Sequence, residues 1–324
     1  MDWRPGAELD TLRRRAGMLA GLRAFFAARG VLEVETPVLG AATVTDVHLA
    51  SLVTHVGPHA AARYLQTSPE YAMKRLLAAG SGDIYQVCKV FRDDPPGHLH
   101  HLEFTMVEWY RLGFDHRRLM EEVAALLGQL LGARWHVPAE VLSYRAAFER
   151  ELGIDPLTAP LATLTAAAEA RLGPLPAGLD ASPAGLRDAC LDLLMGAVVG
   201  PALGHGRLCF VHEYPASQAA LARLLPGQPA VAARFEAYVE GIELCNGFHE
   251  LADPAEQRRR FEADLAARAA HALPQPPPDE RLLAALAAGL PDCAGVALGF
   301  DRLVMLATGR RDIREVLSFA ADGA

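Results

Sequence analysis

The stretch VFRDDPPGHLHHLEFTMVEWYRL, residues 90–112, joins two apolar segments through a strongly polar middle. Both ends are rich in β-branched and aromatic side chains, and two prolines and a glycine at 95–97 interrupt them, a pattern that predicts a β-hairpin with a long loop. Arg92 is followed by Asp93 and Asp94, and histidines stand at 98, 100 and 101. Residues two apart on a strand share a face, so Arg92 and Asp94 can hold a phosphate and an exocyclic amine, or form a solvated ion pair. The tight histidine spacing, without a thiolate, argues against zinc.

Outward from this hairpin, helical and strand patterns alternate along the chain. Apolar spacing predicts helices over 9–29, 68–80, 115–131, 143–152 and 254–271, and strands over 30–39, 43–56, 83–92, 102–112, 207–215 and 234–251. Residues 295–309 indicate a strand, a glycine-rich turn and a helix. The sequence therefore predicts an α+β fold, an antiparallel sheet flanked by helices, forming a single domain over 1–324 with a helical insert at about 153–205.

Composition excludes several classes of protein. The chain has 324 residues, is 51% hydrophobic and carries a net charge of -8, so it has no general electrostatic attraction to nucleic acid or anionic lipid. Its five cysteines form no Cys-x-x-Cys pair, which indicates free thiols in a reducing cytoplasm. A P-loop and a dinucleotide fingerprint are absent. The polar start and the lack of a long uncharged apolar run predict neither a signal peptide nor a membrane span.

A second motif, RFEAYVEGIELCNGFHEL at 234–251, repeats a glutamate every seven residues, at Glu236, Glu243 and Glu250. On strands, carboxylates among apolar residues need a partner, and Glu236 and Glu243 can hold Mg²⁺. On a helix the same spacing would make only a charged stripe. Gly241 and Gly247 favour strands.

A third motif, GVALGFDRL at 295–303, places small residues at 295, 297 and 299, where a ligand can approach the backbone. Arg302 opens the following helix and can reach a phosphate or stack on a base, with Phe104 as a second platform. The alternative is a plain strand-to-helix turn with Asp301 as its cap. Taken together, the three motifs point to a nucleotide bound without a P-loop.

The three motifs, in this order, resemble those of the class II aminoacyl-tRNA synthetases, specifically the lysine type. GVLEVETPVL resembles motif 1, FRDD…HLEFTMVEWY motif 2 and GVALGFDRL motif 3, while TSPEYAMKRLL and GIELCNGFHEL resemble the amino-acid pocket and metal segments. Only about 153–205 lies outside this resemblance. The segment of about 29 residues before motif 1 is too short for an anticodon-binding barrel. We therefore expect a stand-alone core similar to the elongation factor P–(R)-β-lysine ligases, whose alanine at the position of Ala297 it shares where α-lysine enzymes have glycine.

The resemblance implies a role for each matching residue. Arg92 and Arg302 would be catalytic. Glu236 and Glu243 would bind Mg²⁺. ATP would be bound by Arg92, Asp93, Asp94, His100, His101, Phe104, Glu243, Leu244, Gly299 and Arg302. The amino acid would be bound by Ser68, Pro69, Glu70, Glu108, Tyr110, Asn246, Glu250 and Ala297. Four positions depart from the family pattern: Asp94 replaces glutamate, His98 arginine, His101 asparagine and Leu102 proline.

The resemblance also implies cofactors and partners. We expect ATP and Mg²⁺, (R)-β-lysine as the activated amino acid, elongation factor P as the protein acceptor, a homodimer formed through motif 1, and no tRNA. Two alternatives remain open at this point. One is a free-standing lysyl- or asparagine-type core that acts on tRNA or a small amine, and the other is an inactive regulatory paralogue.

Overall fold

A large sheet runs through the computed structural model, which describes residues 3–132, 135, 138–176, 178–179 and 182–321. The strands in chain order are β1 (Leu32–Glu33), β2 (Leu39–Gly40), β3 (Val53–Val56), β4 (Ala61–Leu65), β5 (Ile84–Phe91), β6 (Glu103–Leu112), β7 (Glu140–Ser143), β8 (Cys209–Pro215), β9 (Leu224–Leu225), β10 (Val231–Val239), β11 (Ile242–His249) and β12 (Cys293–Gly299). The helices are α1 (Leu9–Ala27), α2 (Glu70–Ala78), α3 (His116–Leu131), α4 (Tyr144–Leu152), α5 (Leu161–Leu172), α6 (Pro183–Leu194), α7 (Pro254–Ala270), α8 (Glu280–Gly289) and α9 (Phe300–Thr308).

The main sheet has the strand order β1-β5-β6-β12-β11-β10-β8-β7, with β9 paired to β10, and β2, β4 and β3 form a small second sheet. The central pairings from β5 to β8 are antiparallel, whereas β1 pairs parallel with β5 and β7 parallel with β8. The predicted antiparallel sheet flanked by helices is therefore confirmed, with a parallel pair added at each edge.

The two faces of the sheet carry different side chains, because successive side chains of a strand point to opposite faces. Val107 and Trp109 of β6, with Phe235 of β10 and Val296 of β12, belong to a core shared with α1, α3 and α9. The residues between them, such as Glu108 and Glu236, face the other side. Hence polar residues of several strands converge on one face while the opposite face is packed with helices.

Helix α1 shows how the apolar pattern fixes this packing. Leu22, Phe25 and Phe26 are buried, and Phe26 stacks on Tyr85 of β5 with ring centroids 4.3 Å apart. Arg15, on the same helix, donates to Asp301 and to the hydroxyl of Thr105 at 2.7 Å. Asp301 also accepts the Thr105 backbone N–H at 2.6 Å, so it ties α1 and α9 to β6 rather than capping α9.

The predicted strand over 43–56 is wrong for most of its length, since only Val53–Val56 pairs. The preceding loop satisfies its backbone through side chains instead. Asp46 accepts the His48 N–H at 2.8 Å, and Arg268 donates to the carbonyl oxygen of Asp46 at 2.7 Å. The strand predicted over 30–39 is likewise reduced to two short pieces on either side of Pro37, β1 and β2.

The segment 153–205 contains α5, α6, one π-helical turn over Met195–Val199 and a short 3-10 turn. Together with α4 and β8, these helices surround a separate cluster of buried side chains on the same face of the sheet as Glu108 and Glu236. The description of this segment as an insert in one domain stays a prediction. In the described part of the chain, no helix has the length and apolarity needed to cross a membrane.

Candidate active site

A cavity of about 1180 Å³ opens on the polar face of the main sheet. Thirteen of the residues predicted to form the site line it: Ser68, Glu70, Arg92, Asp94, His100, His101, Phe104, Glu243, Leu244, Asn246, Ala297, Gly299 and Arg302. The other predicted residues do not line it. Glu108, Tyr110, Glu236 and Glu250 lie buried behind its wall, Pro69 is buried at the start of α2, and Asp93 points to solvent.

The hairpin β5–β6 brings Arg92 and Phe104 together. The Arg92 guanidinium lies 5.2 Å from the centroid of the Phe104 ring. Burial lowers the pKa of Arg92, and Glu243 and Asp94 partly offset that effect. Its Nε atom is buried and has no hydrogen-bond partner within the described residues, so this end of the cavity presents an unsatisfied cation to an anionic ligand.

Arg302, at the start of α9, crosses over to the loop of the hairpin. Its Nη1 donates to the Glu243 carbonyl at 2.8 Å, and its Nη2 lies 3.1 Å from Nε2 of His100. Burial and the positive charge of Arg302 lower the pKa of His100, which keeps the imidazole neutral and able to accept. Leu99 also accepts from Arg302, through its carbonyl oxygen at 3.3 Å. The loop is thereby fastened over the cavity by the arginine of the third motif.

His101 fastens the same loop to the end of the chain. Its Nδ1 lies 2.7 Å from the carbonyl oxygen of Glu103, and its Nε2 accepts the Ala321 N–H at 3.0 Å. His98 is 84% exposed and reaches only Asp312, at 3.4 Å. The two histidines that depart from the family pattern therefore differ: His101 is structural in this loop, whereas His98 is exposed beside Asp312 and does not line the cavity.

The two glutamates predicted to bind metal come from adjacent strands. Glu236 on β10 is held on both oxygens, by Arg234 at 2.6 Å and by the Tyr238 hydroxyl at 2.5 Å. Glu243 on β11 is 42% exposed and lies 3.6 Å from Arg302. Burial raises the pKa of Glu243, and the charge of Glu236 raises it further. Of the two, only Glu243 lines the cavity, where a carboxylate is a suitable ligand for a divalent cation.

At the other end of the cavity, four residues form a chain of hydrogen bonds. Ser68 donates to Glu108 Oε2 at 2.6 Å and accepts the Glu70 N–H at 3.0 Å, which starts helix α2. Tyr110 donates to Glu108 Oε1 at 2.6 Å. Burial raises the pKa of Glu108 to about 8, and the charge of Glu70 adds to the rise, while the two hydroxyls oppose it. This pocket is therefore short of positive charge.

Glu250 lies behind the same pocket, just beyond β11, and its carboxylate is 2.6 Å from the ammonium of Lys74. Lys74 also donates to Glu70 at 2.7 Å. Burial raises the pKa of Glu250 to about 7, although Lys74 counteracts it. Asn246 and Ala297 pair across β11 and β12 and form the floor between this pocket and the arginines.

The sequence motifs did not reveal Lys74, Arg234 or the contribution of α6. A signal existed for Lys74, because a glutamate and a lysine four residues apart on a helix lie close enough to pair. Arg234 sits two residues before Glu236 on the same strand face. Asp188 and Asp192 of α6 line the cavity from a segment outside the recognised motifs, and the sequence contains no signal that would bring them there.

The nine-stranded sheet thus carries one cavity with arginines at one end and buried carboxylates behind the other. A family model described as tRNA synthetases class II (D, K and N) matches residues 1–323, and the chain belongs to this family. The resemblance inferred from the motifs is thus confirmed.

Two relatives show which members of this family the chain is similar to. An elongation factor P–(R)-β-lysine ligase from Erwinia tasmaniensis is 53% identical over 324 residues, which cover 99% of this chain and 98% of that protein. The ligase of the same name from Salmonella paratyphi B is 51% identical over 330 residues, with the same coverage. The similarity therefore extends over almost the full length of this chain and of each relative, including the segment 153–205.

Proposed function

We propose that this protein uses ATP to activate (R)-β-lysine as an adenylate and transfers it to a lysine ε-amine of elongation factor P. The observation that carries the proposal is the identity of 51% and 53% to ligases of that name over almost the whole chain. The cavity supports it, since one end suits phosphates and the other suits ammonium groups.

At the phosphate end, Arg92 would hold the α-phosphate, and Phe104 and Arg302 would enclose the adenine. A planar guanidinium binds two phosphate oxygens at once and also stacks on aromatic rings. The unpartnered Nε of Arg92 supports the first role, and the hydrogen bonds of Arg302 to the loop and to β11 support a fixed position for the second. Asp94, on the cavity wall, would accept the adenine amine.

Glu243 and Glu236 would hold Mg²⁺, with water and phosphate oxygens as the remaining ligands. Glu243 fits this role as it stands, because it lines the cavity and Mg²⁺ is commonly bound by one or two carboxylates together with substrate phosphates. Both oxygens of Glu236 are held by Arg234 and Tyr238, so Glu236 would have to release one of these partners to bind the ion. No cluster of three or more ligating side chains occurs in the part of the chain that the structure describes. When bound, the ion would neutralise charge on the phosphates.

At the amine end, Ser68, Glu70 and Glu108 would bind the amino group near the carboxylate, and Tyr110 and Glu250 the terminal ammonium. Desolvated ammonium groups need anionic partners. The raised pKa values of Glu108 and Glu250 support this assignment, because they indicate carboxyls that a bound cation would stabilise as carboxylates. The methyl group of Ala297 in the wall would limit where the amino group can sit.

The reaction would take two steps. A carboxylate oxygen of the amino acid attacks the α-phosphorus of ATP, and the bond to pyrophosphate breaks. The acceptor amine then attacks the adenylate carbonyl, forms the amide, and releases AMP and a proton. Arg92 would stabilise the charge that develops at phosphorus, and positioning of the two reactants supplies much of the remaining rate.

We also propose a homodimer in the cytoplasm. Five large apolar side chains are exposed on β1, β2, β3 and the residues beside them: Leu32, Val38, Leu39, Val53 and Val56. Large exposed apolar side chains on these short strands support the proposed subunit interface. All five cysteines are free, in keeping with a reducing compartment.

The test is ATP–pyrophosphate exchange with (R)-β-lysine or L-α-lysine, followed by transfer of labelled amino acid to elongation factor P or to bulk tRNA. We expect exchange with (R)-β-lysine and label on the protein. Label on tRNA would instead indicate a free-standing synthetase. Absence of exchange with every amino acid tried would refute the proposal and favour a regulatory paralogue.

A further inference from the structure

Lys74 lies in the amino-acid end of the site but takes no part in the chemistry proposed above. The chain has only two lysines, Lys74 and Lys89, among its 31 lysine and arginine residues. Lys89 is half exposed and lies 3.3 Å from Glu103, whereas the side chain of Lys74 is 1% exposed. Lysine is almost never buried so deeply unless it is paired, so its partners determine its role.

The ammonium of Lys74 joins carboxylates from two separate parts of the fold. Glu70 lies one turn earlier on α2 and contributes Oε1 at 2.7 Å, while Glu250, beyond β11, contributes Oε2 at 2.6 Å. The other oxygen of Glu250, Oε1, lies toward β12, only 2.6 Å from where a Cβ on Gly295 would stand. The ion pair therefore holds the carboxylate of Glu250 with one oxygen at Lys74 and the other facing the sheet.

The balance of charge in the amino-acid pocket explains the presence of Lys74. The pocket has three carboxyls, from Glu70, Glu108 and Glu250, and one ammonium, from Lys74. Three negative charges less one positive charge leave two negative charges when all are ionised. The two ammonium groups of a diamino acid can each pair with one of these charges while its carboxylate is directed at ATP, whereas an amino acid with a single ammonium leaves one buried charge unpaired, which is costly.

This inference rests on the proposed function and deepens it. We propose that Lys74 is a positioning and specificity-determining residue: it holds Glu70 and Glu250 as charged ligands and thereby selects an amino acid that carries two ammonium groups.

The electrostatics around Lys74 agree with this role. Burial alone lowers the pKa of Lys74, but the charges of Glu250 and Glu70 more than offset it, so the ammonium stays charged. Burial raises the pKa of Glu250, and Lys74 is the largest influence in the opposite direction. A neutral residue at position 74 would therefore raise the pKa of Glu250 further. The other titratable groups that face the cluster come from β6, β12 and the loop after β8: Glu108, Tyr110, Cys293 and Arg223.

The test compares Lys74→Met and Lys74→Gln with the wild type in calorimetric binding, which requires no turnover. The two probes are (R)-β-lysine and the β-amino acid of equal chain length that lacks the terminal ammonium. We expect the wild type to bind the diamino acid much more tightly than the other probe. In each neutral variant the ratio of the two dissociation constants should fall by at least about tenfold. Lys74→Arg, which keeps the charge, should retain more of the preference than Lys74→Gln.

The pH dependence supplies a readout that a purely structural lysine would not move. In the wild type, the dissociation constant for (R)-β-lysine should rise as pH falls through the titrations of Glu108, near 8, and of Glu250, near 7. In Lys74→Gln the rise should begin at a higher pH, because Glu250 takes up its proton more readily. Lys89→Met is the matched control and should change neither quantity.

The outcomes separate the two claims. Wild-type preference and an unchanged pH profile in a folded Lys74→Gln would overturn the role of Lys74, whatever the exchange assay shows. If Lys74→Met does not fold, Lys74→Gln, whose amide can still donate to Glu70, provides the comparison, with circular dichroism as the check on folding. A wild type that binds both probes equally would overturn the selection by charge, whereas tight diamino acid binding without transfer to elongation factor P would refute only the proposed function.

Discussion

At the scale of single residues, the proposed role of Arg302 depends on the planar shape of its guanidinium as well as on its charge. It donates to Glu243 and Leu99 backbone oxygens and contacts His100, so replacement by lysine keeps the charge but removes the fork. We expect Arg302→Lys to reduce pyrophosphate exchange by about 100-fold and to raise the KM for ATP. Arg311→Lys, at an exposed position nearby, should leave both unchanged; equal effects of the two variants would contradict the assignment.

Ala297 offers a second test at this scale. Its methyl group lies in the cavity wall opposite Glu108 on β6. We expect Ala297→Gly to raise exchange with L-α-lysine relative to (R)-β-lysine by about tenfold, since one methyl group in a pocket carries about that much discrimination. Ala294→Gly, on the same strand but facing the helices, is the control. It should lower thermal stability without changing the ratio.

At the scale of elements, the close contact of β12 with β6 depends on Gly295. It pairs with Tyr110, and a Cβ at this position would overlap the Tyr110 ring and approach Oε1 of Glu250 to 2.6 Å. We expect Gly295→Ala to cost about 1–3 kcal/mol of unfolding free energy and to weaken amino-acid binding, because both neighbours are buried in the core. Denaturant unfolding and calorimetry measure the two effects.

Gly17 provides the matched glycine for that experiment. It is exposed in the middle of α1, and a Cβ there would meet nothing within 4 Å. Gly17→Ala should therefore stabilise the protein by about 0.5–1 kcal/mol, through helix propensity alone. A loss of stability at both positions would mean that crowding at Gly295 is not the cause.

The contact of α3 with β8 makes the fold sensitive to acid. His116 begins α3 and faces His212 of β8 with ring centroids 6.2 Å apart, and both its ring nitrogens are buried without a hydrogen-bond partner among the described residues. Burial lowers the pKa of His116 to about 4; Asp115 opposes this, and His212, Arg117 and His249 add to it. Because the unfolded state binds the proton more readily, stability is lost as pH falls from the ordinary histidine value toward about 4.

We expect the free energy of unfolding to fall by about 2 kcal/mol between pH 7 and pH 5 through His116 alone. His116→Gln should remove most of this dependence, whereas His55→Gln, on an exposed strand, should not. An unchanged slope in His116→Gln, measured by urea unfolding at each pH, would show that other groups carry the acid sensitivity.

At the scale of the whole molecule, the small sheet and the strand before it leave apolar side chains exposed. Leu39 is 44% exposed and Val53 is 49% exposed. We expect the wild type to sediment at about twice its chain mass of 34.8 kDa, and Leu39→Asp to shift it toward the monomer, because a buried unpaired carboxylate opposes association. Leu172→Asp, at a similarly exposed residue of α5, should leave the assembly unchanged. A monomeric wild type at micromolar concentration would contradict the proposed dimer.

The sequence by itself determined the class of fold, most helices and many of the residues at the two ends of the cavity. Hydrophobic periodicity and the glycines and prolines of turns act locally. They therefore predicted the hairpin of residues 90–112, the strands around Glu236 and Glu243, and the turn before Arg302. The alternation of β6 alone fixes that Glu108 and Tyr110 share a face. The prediction of a strand over 43–56 was wrong because Arg268, which holds that loop by a hydrogen bond, is more than 200 residues away in the chain.

Only the tertiary structure decided how these parts meet. Strand order places β12 between β6 and β11, which brings Arg92, Glu243 and Arg302 to one cavity. It also decided that Lys74 lies between Glu70 and Glu250, and that α6 forms a wall of the same cavity. The physical reason is that burial and pairing of charge depend on distances across the fold. Residue spacing along the chain does not encode those distances, whereas local patterns set the elements.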